Sequence, residues 1–337
     1  MRVNQKCARQ IIPWALAYTG EMSLRSFRNA SRVCLLMSFS LCVGAQVRPG
    51  WVKPLPPFRI ADNLYYVGSQ DLAAYLVTTS AGNILINANL PSSPAQIRAS
   101  VEQLGFRWGD TKILLTGQAH YDHAGGFAAV LRQTHARSMV MEYDAEVIRT
   151  GGYSDFLHAS GSVPTYPSAR VDRVLHDGDT VTLGGTTLIA HRTGGHTRGC
   201  TTWTMRVHVP GEPAETRRDV VIVGGYTLWS DFQLVDSPAK PASYPGIAED
   251  FRRSFVVYKA LPCDIFLGDH GEHFGMLQKL KRMARDGDEV WVDPQGYRAT
   301  IEEGRLEFEN ALARQQHCRE PQIARARARY AAGLWWL

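Results

Sequence analysis

The stretch Gln118-Ala119-His120-Tyr121-Asp122-His123 says most about the fold and the chemistry of this chain. It follows a short apolar run at residues 112–115 that predicts a β-strand, and a helical pattern begins shortly after it. A turn between a strand and a helix lets side chains at alternating and adjacent positions converge on one point. An amide oxygen, two imidazoles and a carboxylate are donors that zinc accepts. The stretch therefore predicts a metal site at the end of a strand.

Two further histidines lie in similar settings. His196 lies in a glycine-rich turn at residues 193–199, and His270 closely follows a short apolar run at residues 264–267. A single histidine at such a position is more often structural, although functional groups are commonly mounted on the loops that follow strands. Three separate histidine sites at strand ends in one chain favour a shared metal centre.

Short apolar runs separated by turn residues continue on both sides of this stretch, and helical patterns follow them in each half of the chain. Strands followed by helices, twice over, favour an α+β fold with two sheets sandwiched between helices over a doubly wound parallel sheet. Strands are predicted at 64–67, 74–77, 84–86, 112–115, 200–209, 219–223 and 264–267, with a hairpin at 180–191. Helices are predicted at 94–104, 125–133, 246–261, 274–285 and 294–315.

The first 45 residues differ from the rest of the chain in charge. They contain six basic residues and one acidic residue, which accounts for the whole formal net charge of +5. The remaining residues therefore carry no excess of positive charge that would favour a nucleic-acid partner.

The same residues have the pattern of an export signal. Arginines at 25, 28 and 32 precede an apolar run at 33–43, which is too short to span a bilayer, and small residues follow it. This pattern predicts a signal peptide within a leader at 1–45, a mature protein from Gln46 and Met22 as an alternative start. We therefore expect a periplasmic protein with no stable membrane insertion after signal removal.

The cysteines and the C-terminus leave several alternatives open. After the leader the chain has Cys200, Cys263 and Cys318, so at least one thiol is free or pairs between chains. Cys200 is interpreted as a buried packing residue rather than a metal ligand. Residues 316–337 form a basic and aromatic tail, which is either a docking segment for a membrane surface or partner, or a dispensable extension; the second interpretation is favoured.

The sequence around the histidines resembles the metallo-β-lactamase superfamily, and more narrowly the third subclass of the class B β-lactamases. The resemblance extends over residues 57–315. It implies a single domain at 46–315 with an αββα sandwich fold and a two-zinc cleft at one edge of the sheets. Besides the stretch at 118–123, it is carried by Gly195-His196-Thr197-Arg198-Gly199-Cys200-Thr201-Thr202-Trp203, by Tyr244-Pro245-Gly246-Ile247-Ala248-Glu249-Asp250-Phe251 and by Leu261-Pro262-Cys263-Asp264 leading to His270.

This resemblance implies a ligand for every metal position. By position, it assigns Gln118, His120 and His196 to a first zinc, and Asp122, His123 and His270 to a second. Most relatives have a histidine where this chain has Gln118, whose neutral carbonyl oxygen is a poorer zinc donor than an imidazole. We therefore expect the second site to bind zinc more tightly than the first.

The resemblance also implies zinc-dependent hydrolysis of a β-lactam amide bond by a metal-activated hydroxide, and hence antibiotic resistance, with a small-molecule β-lactam as the partner. Asp122 would orient the nucleophile, and the zinc on His120 and His196 would polarise the substrate carbonyl. Tyr226 and Leu228 stand where relatives have small hydroxyl residues that bind water or substrate. Because leucine cannot donate a hydrogen bond, we expect altered substrate binding.

Other interpretations remain open. A hydrolase of the same superfamily that acts on thioesters or lactones would share the metal residues, and a zinc-binding protein with little turnover would be consistent with Gln118 and Leu228. His273 is an alternative ligand to His270. His191 either supports the site or forms a structural hydrogen bond, and the second role is favoured. Cys263 matches a disulfide position of some relatives, but no cysteine lies near residue 295 to pair with it.

Overall fold

Alternating apolar residues build two β-sheets in the part of the chain that the computed structural model describes, residues 48–331, with side chains up to residue 317. The strand orders are β1-β2-β3-β4-β5-β6-β7 and β12-β11-β10-β9-β8. The first sheet comprises β1 (Phe58–Ala61), β2 (Leu64–Tyr66), β3 (Tyr75–Thr79), β4 (Gly82–Ile86), β5 (Thr111–Leu115), β6 (Arg137–Met141) and β7 (Arg173–Leu175). The second comprises β8 (Thr180–Leu183), β9 (Thr186–Arg192), β10 (Thr201–Val207), β11 (Arg218–Val223) and β12 (Ile265–Gly268).

Helices cover the outer faces of these sheets. Strand β4 shows how the alternation works: Ile84 and Ile86 join the core cluster shared by both sheets, whereas Leu85 joins a second cluster with residues of α2, α4 and α5. Residues of α6 and α8 pack into the shared cluster. The α-helices are α1 (Pro49–Val52), α2 (Pro94–Gln103), α3 (Tyr121–Ala124), α4 (Phe127–Thr134), α5 (Asp144–Thr150), α6 (Ile247–Ala260), α7 (Met276–Asp286) and α8 (Pro294–Ala331). The expected αββα sandwich is confirmed.

Strand directions bring several strand ends to one edge of the sandwich. In the first sheet β1 to β4 are antiparallel neighbours, and β4 to β7 run parallel. In the second sheet β9 and β11 both oppose β10, and β12 runs parallel to β11. The carboxyl ends of β9, β11 and β12 therefore lie at the same edge, where polar loops can converge.

The structure differs from the sequence prediction in several segments, including α1 and β1, which were not predicted. The sequence analysis assigned nothing between residues 134 and 179, where β6, α5 and β7 lie. These elements are short, and β6 is almost wholly buried, so it lacks the alternation that marks a half-buried strand. The prediction that the last helix ends near residue 315 is wrong, because α8 continues to Ala331. Alanine and arginine, which dominate that extension, are both good helix formers.

Some predictions fall on residues that the structure does not describe or does not test. The leader at 1–45, the start at Gln46 and the side chain of Cys318 lie outside the described residues. Within the described part, Cys200 and Cys263 carry free thiols, and Cys200 is buried as expected. No helix among the described residues is both long and apolar enough to cross a membrane.

Two buried tryptophans offer a matched test of the core. The indole N–H of Trp203 on β10 donates to the carbonyl oxygen of Thr116 at 3.0 Å, just before the ligand stretch, whereas the Trp291 indole N–H has no hydrogen-bond partner among the described residues. We predict that Trp203→Phe lowers the free energy of unfolding by about 1–3 kcal/mol more than Trp291→Phe, because it leaves a buried carbonyl unsatisfied. Urea unfolding of both zinc-free variants measures this difference, and equal losses would contradict it.

Candidate active site

Loops from both sheets meet at the edge where the strand ends converge. The loop after β5 approaches the loop after β11 so closely that a Cβ at Gly117 would lie 2.8 Å from the Cα of Gly224. Glycine is required there because any side chain would separate the two backbones. The amide of Thr201 at the start of β10 also donates to the Gly117 carbonyl at 2.7 Å. The two sheets are therefore joined directly beneath the candidate ligands.

Asn87, the residue after β4, shapes the loop that carries the first ligands. It adopts a left-handed conformation with φ of 68°, which asparagine tolerates better than most residues. Its side-chain oxygen accepts hydrogen bonds from the Gly117 amide at 2.9 Å and the Thr116 hydroxyl at 3.2 Å. Its amide group donates to Asp269 at 2.9 Å. Asn87 thus links the loop after β5 to the loop after β12.

The short helix α3 turns two of the predicted ligands toward His270. His120 is the extended residue before α3, and Asp122 and His123 lie in its only turn. The Nε2 atoms of His123 and His270 lie 3.2 Å apart, and Asp122 Oδ2 lies 3.4 Å and 3.7 Å from them. All three side chains offer ligand atoms within 4.8 Å of one another. We call Asp122, His123 and His270 the second donor set.

Carboxylates behind the two imidazoles determine which nitrogens face each other. Nδ1 of His270 donates to Asp71 Oδ2 at 3.0 Å, and Nδ1 of His123 lies 3.9 Å from Asp269 Oδ2. Trp51 from α1 donates its indole N–H to the same Asp71 oxygen at 3.0 Å. A histidine with Nδ1 directed at a carboxylate keeps the lone pair of Nε2 free for a metal.

The second donor set attracts positive charge. Burial would lower the pKa of His123, but the carboxylates of Asp122 and Asp269 overcome it and raise this pKa to about 9. Burial would raise the pKa of Asp122, but the neighbouring His123 and His270 hold it below its usual value. Surroundings that stabilise a proton on a buried imidazole also stabilise a metal cation in its place.

The other three predicted ligands form a first donor set beside it. The rings of His120 and His196 have centroids 4.9 Å apart, and Gln118 donates from its amide nitrogen to the Gly224 carbonyl at 3.0 Å. Nδ1 of His196 donates to the Thr227 carbonyl at 2.8 Å, which leaves its Nε2 free. Burial and then the nearby His120 lower the pKa of His196 to about 3, so this imidazole stays neutral.

Both donor sets fit a zinc ion. Gln118 Oε1 and both ring nitrogens of His120 are buried without a hydrogen-bond partner among the described residues. Buried polar atoms without partners are costly, and a metal ion would satisfy them. Imidazole nitrogen and carboxylate oxygen in the second donor set are preferred zinc donors, whereas the first set has one weak donor, the amide oxygen of Gln118. The ligand roles themselves stay a prediction.

Aromatic side chains line the cleft. Trp229 stacks on His120 with ring centroids 5.1 Å apart and meets His196 edge-on at 5.2 Å. Trp51 lies over His270 on the other side, with centroids 5.9 Å apart. Each donor set therefore has an indole packed against at least one of its histidines.

The predicted substrate residues lie on the loop after β11. Tyr226 packs against His273, with centroids 5.1 Å apart, and burial raises the pKa of its phenol, so the group remains a donor. Leu228 packs against the core cluster shared by the sheets. The substrate-binding role of both residues stays a prediction.

The other histidines raised by the sequence have different positions. His273 is close to His270, with ring centroids 5.0 Å apart, but it is not among the ligand atoms that lie within 4.8 Å of one another. His270 therefore belongs to the second donor set and His273 does not, and the role of His270 as the ligand stays a prediction. Nε2 of His191 lies 2.8 Å from the Thr204 hydroxyl, which is the structural hydrogen bond that was expected.

Four carboxylates of this site were not predicted from the sequence. Asp269 directly precedes His270, so its position in the sequence was a usable signal. Asp71, Asp144 and Asp155 lie in loops or at a helix start with no motif around them. Asp144 is buried and accepts hydrogen bonds from the Ala119 amide, the Thr197 hydroxyl and the Gly199 amide at 2.7–3.0 Å. It joins the loop that carries His120 to the loop that carries His196.

The three donors to Asp144 allow a graded test. We predict that Asp144→Ala lowers the free energy of unfolding of the zinc-free protein by at least about 3 kcal/mol, because three buried donors lose their acceptor. The isosteric Thr197→Val change removes one of these bonds, and about 1 kcal/mol is expected. Urea unfolding measures both values, and similar losses for the two variants would argue against the link.

Comparisons with known proteins agree with this geometry. The model of the metallo-beta-lactamase superfamily matches residues 73–208. Native FEZ-1 metallo-beta-lactamase from Legionella gormanii is 45% identical, with a TM-score of 0.74 over 78% of this chain and 98% of that chain. The class B3 di-zinc enzyme LRA-12 from an Alaskan soil metagenome is 36% identical, with a TM-score of 0.72 over 79% and 98%. BJP-1, a subclass B3 enzyme of Bradyrhizobium japonicum, is 34% identical, with a TM-score of 0.73 over 80% and 98%. The chain therefore belongs to the metallo-β-lactamase superfamily and, within it, to the subclass B3 enzymes.

Proposed function

We propose that this chain hydrolyses the amide bond of β-lactams with zinc bound in its two donor sets. The observation that carries the proposal is the meeting of both sets in one cleft at the strand edge. In the second set, the two imidazoles direct Nε2 at each other and at Asp122. The similarity to FEZ-1, LRA-12 and BJP-1 supports β-lactams as the substrate class.

The residues of the chain divide the work of the reaction. When bound, zinc acidifies a coordinated water and polarises a carbonyl oxygen. Asp122 is held ionised by its neighbours, so its carboxylate can orient the attacking water. His120 and His196 would hold the zinc that polarises the substrate carbonyl. Trp51 packs against His270, and Trp229 packs against His120 and His196, so both indoles border the reacting groups.

The two zinc sites are proposed to differ in affinity. The second set contains one carboxylate, Asp122, and two more lie behind its histidines, Asp71 and Asp269. The first set contains only neutral donors, because glutamine replaces an imidazole there. A dication is stabilised more by three nearby negative charges than by a neutral amide. We therefore propose that the second site fills first and that the first is partly filled.

The cellular location of the protein is proposed from the leader at residues 1–45 alone. Its arginines and apolar run favour export to the periplasm, where an enzyme of this kind would destroy β-lactams before they reach their targets. The proposed outcome is antibiotic resistance.

Hydrolysis of a chromogenic cephalosporin tests the proposed activity. We predict chelator-sensitive hydrolysis that returns when zinc is added back, and loss of activity in His123→Ala because it removes a second-set donor. His191→Gln, which changes a histidine outside the cleft, serves as the matched control and should retain activity. An intact β-lactam beside active cleavage of a thioester or lactone would instead support the other superfamily activity, and no turnover of either would support a zinc-binding protein.

Zinc stoichiometry tests the proposed asymmetry. We predict that wild-type protein keeps close to one zinc per chain after mild chelation, whereas Gln118→His keeps close to two, because an imidazole nitrogen replaces a neutral amide oxygen. Metal analysis after gel filtration measures both values. Two zinc ions that resist mild chelation in the wild-type protein would refute the asymmetry.

A further inference from the structure

We propose that Asp155 is a positioning residue that sets the zinc affinity of the first donor set by acting through His120. The inference rests on the proposed zinc sites and assigns a role to a loop residue that the sequence analysis did not single out. It explains how a set with a neutral glutamine can still hold a metal ion.

Asp155 is placed to act on His120. Its side chain is 2% exposed, and its Oδ2 lies 3.5 Å from Nε2 of His120, whose side chain is 1% exposed. Oδ1 accepts the amide of Leu157 at 2.7 Å, which fixes the direction of the carboxylate. The contact between Asp155 and His120 is longer than an ordinary hydrogen bond, and Nε2 of His120 has no hydrogen-bond partner among the described residues. Contacts that are long in a ligand-free site often shorten into hydrogen bonds in the ligated state.

The geometry argues for action through His120 rather than direct ligation. Within the described residues, Asp155 does not form a group with His120 and His196 in which all ligand atoms lie within 4.8 Å of one another. The two rings nevertheless meet at 4.9 Å between centroids. The direct contact of Asp155 is therefore with His120, at Nε2.

The consequence for the metal follows from histidine chemistry. A carboxylate at Nε2 holds the ring proton there, so the lone pair of Nδ1 is free for zinc, and it makes the imidazole a stronger donor. It also places a buried negative charge next to a predicted metal ligand, with the His120 ring between that charge and the metal. Both effects offset the weakness of Gln118, since that side chain offers only a neutral oxygen.

The second donor set contains a matched pair. One oxygen of Asp71 accepts a hydrogen bond from Nδ1 of His270 at 3.0 Å. Its other oxygen accepts a hydrogen bond from the backbone amide of Glu272 at 3.1 Å. Asp155 likewise uses one oxygen for an imidazole and the other for a backbone amide. Each zinc site thus has its own carboxylate and histidine, and the two can be changed independently.

The experiment compares Asp155→Asn and Asp71→Asn in the wild-type and the Gln118→His full-length proteins. Asparagine keeps an oxygen for the backbone amide but loses the charge. Competition between the protein and a coloured zinc chelator gives the stepwise zinc dissociation constants without any substrate. The constant that Gln118→His lowers identifies the first site.

We expect Asp155→Asn to weaken the first site by about 10–100-fold and to leave the second site unchanged, with the reverse for Asp71→Asn. Thermal unfolding of the zinc-free proteins checks folding, because damage to the Asp155 loop alone would lower the midpoint without separating the two sites.

Three outcomes would overturn the proposal. The first is an unchanged first-site constant in Asp155→Asn in both backgrounds, and the second is an equal weakening of both sites. The third is the absence of a first zinc even in Gln118→His, which would also refute the assignment of the first set. Failure to hydrolyse β-lactams would refute the proposed function while the zinc constants still decide the role of Asp155.

Discussion

Burial of charge at the edge of the sandwich is the constraint on which the rest of this structure depends. Asp122, Asp144 and Asp269 are all buried, and an ionised carboxylate in such a place is stable only when donors or cations surround it. Asp144 has three donors, Asp269 has Asn87 and the His123 ring nearby, and Asp122 has two imidazoles. A folded chain can meet this requirement only if the loops carrying these groups are held in register with one another.

That register is held by contacts between loops rather than within them. Asn87 joins the loop after β5 to Asp269, and Asp144 joins the same loop to the one around His196. Beneath both links, the glycines at 117 and 224 allow the two sheets to approach closely. The predicted metal-binding side chains thus lie on short loops whose ends are fixed by β-strands. Little conformational entropy is therefore lost when a metal ion binds.

The two donor sets offer a metal cation different amounts of negative charge. In the second set a carboxylate belongs to the ligands themselves, and Asp71 and Asp269 lie behind them. In the first set the neutral Gln118 stands among two imidazoles, and the nearby charge comes from Asp155 behind His120. The metal affinity of the first donor set therefore depends more on residues outside the set than the affinity of the second set does.

The sequence by itself indicated two sheets sandwiched between helices and polar residues at strand ends, because these are local properties. The resemblance to metallo-β-lactamases implied the αββα fold and the set Gln118, His120, Asp122, His123, His196 and His270. The sequence left residues 134–179 unassigned, since a short buried strand such as β6 has no alternation to detect. Only the tertiary structure showed Asp71, Asp144 and Asp155, which come from distant parts of the chain. Their roles depend on which ring nitrogen or amide they face, and that is decided by how the two sheets pack.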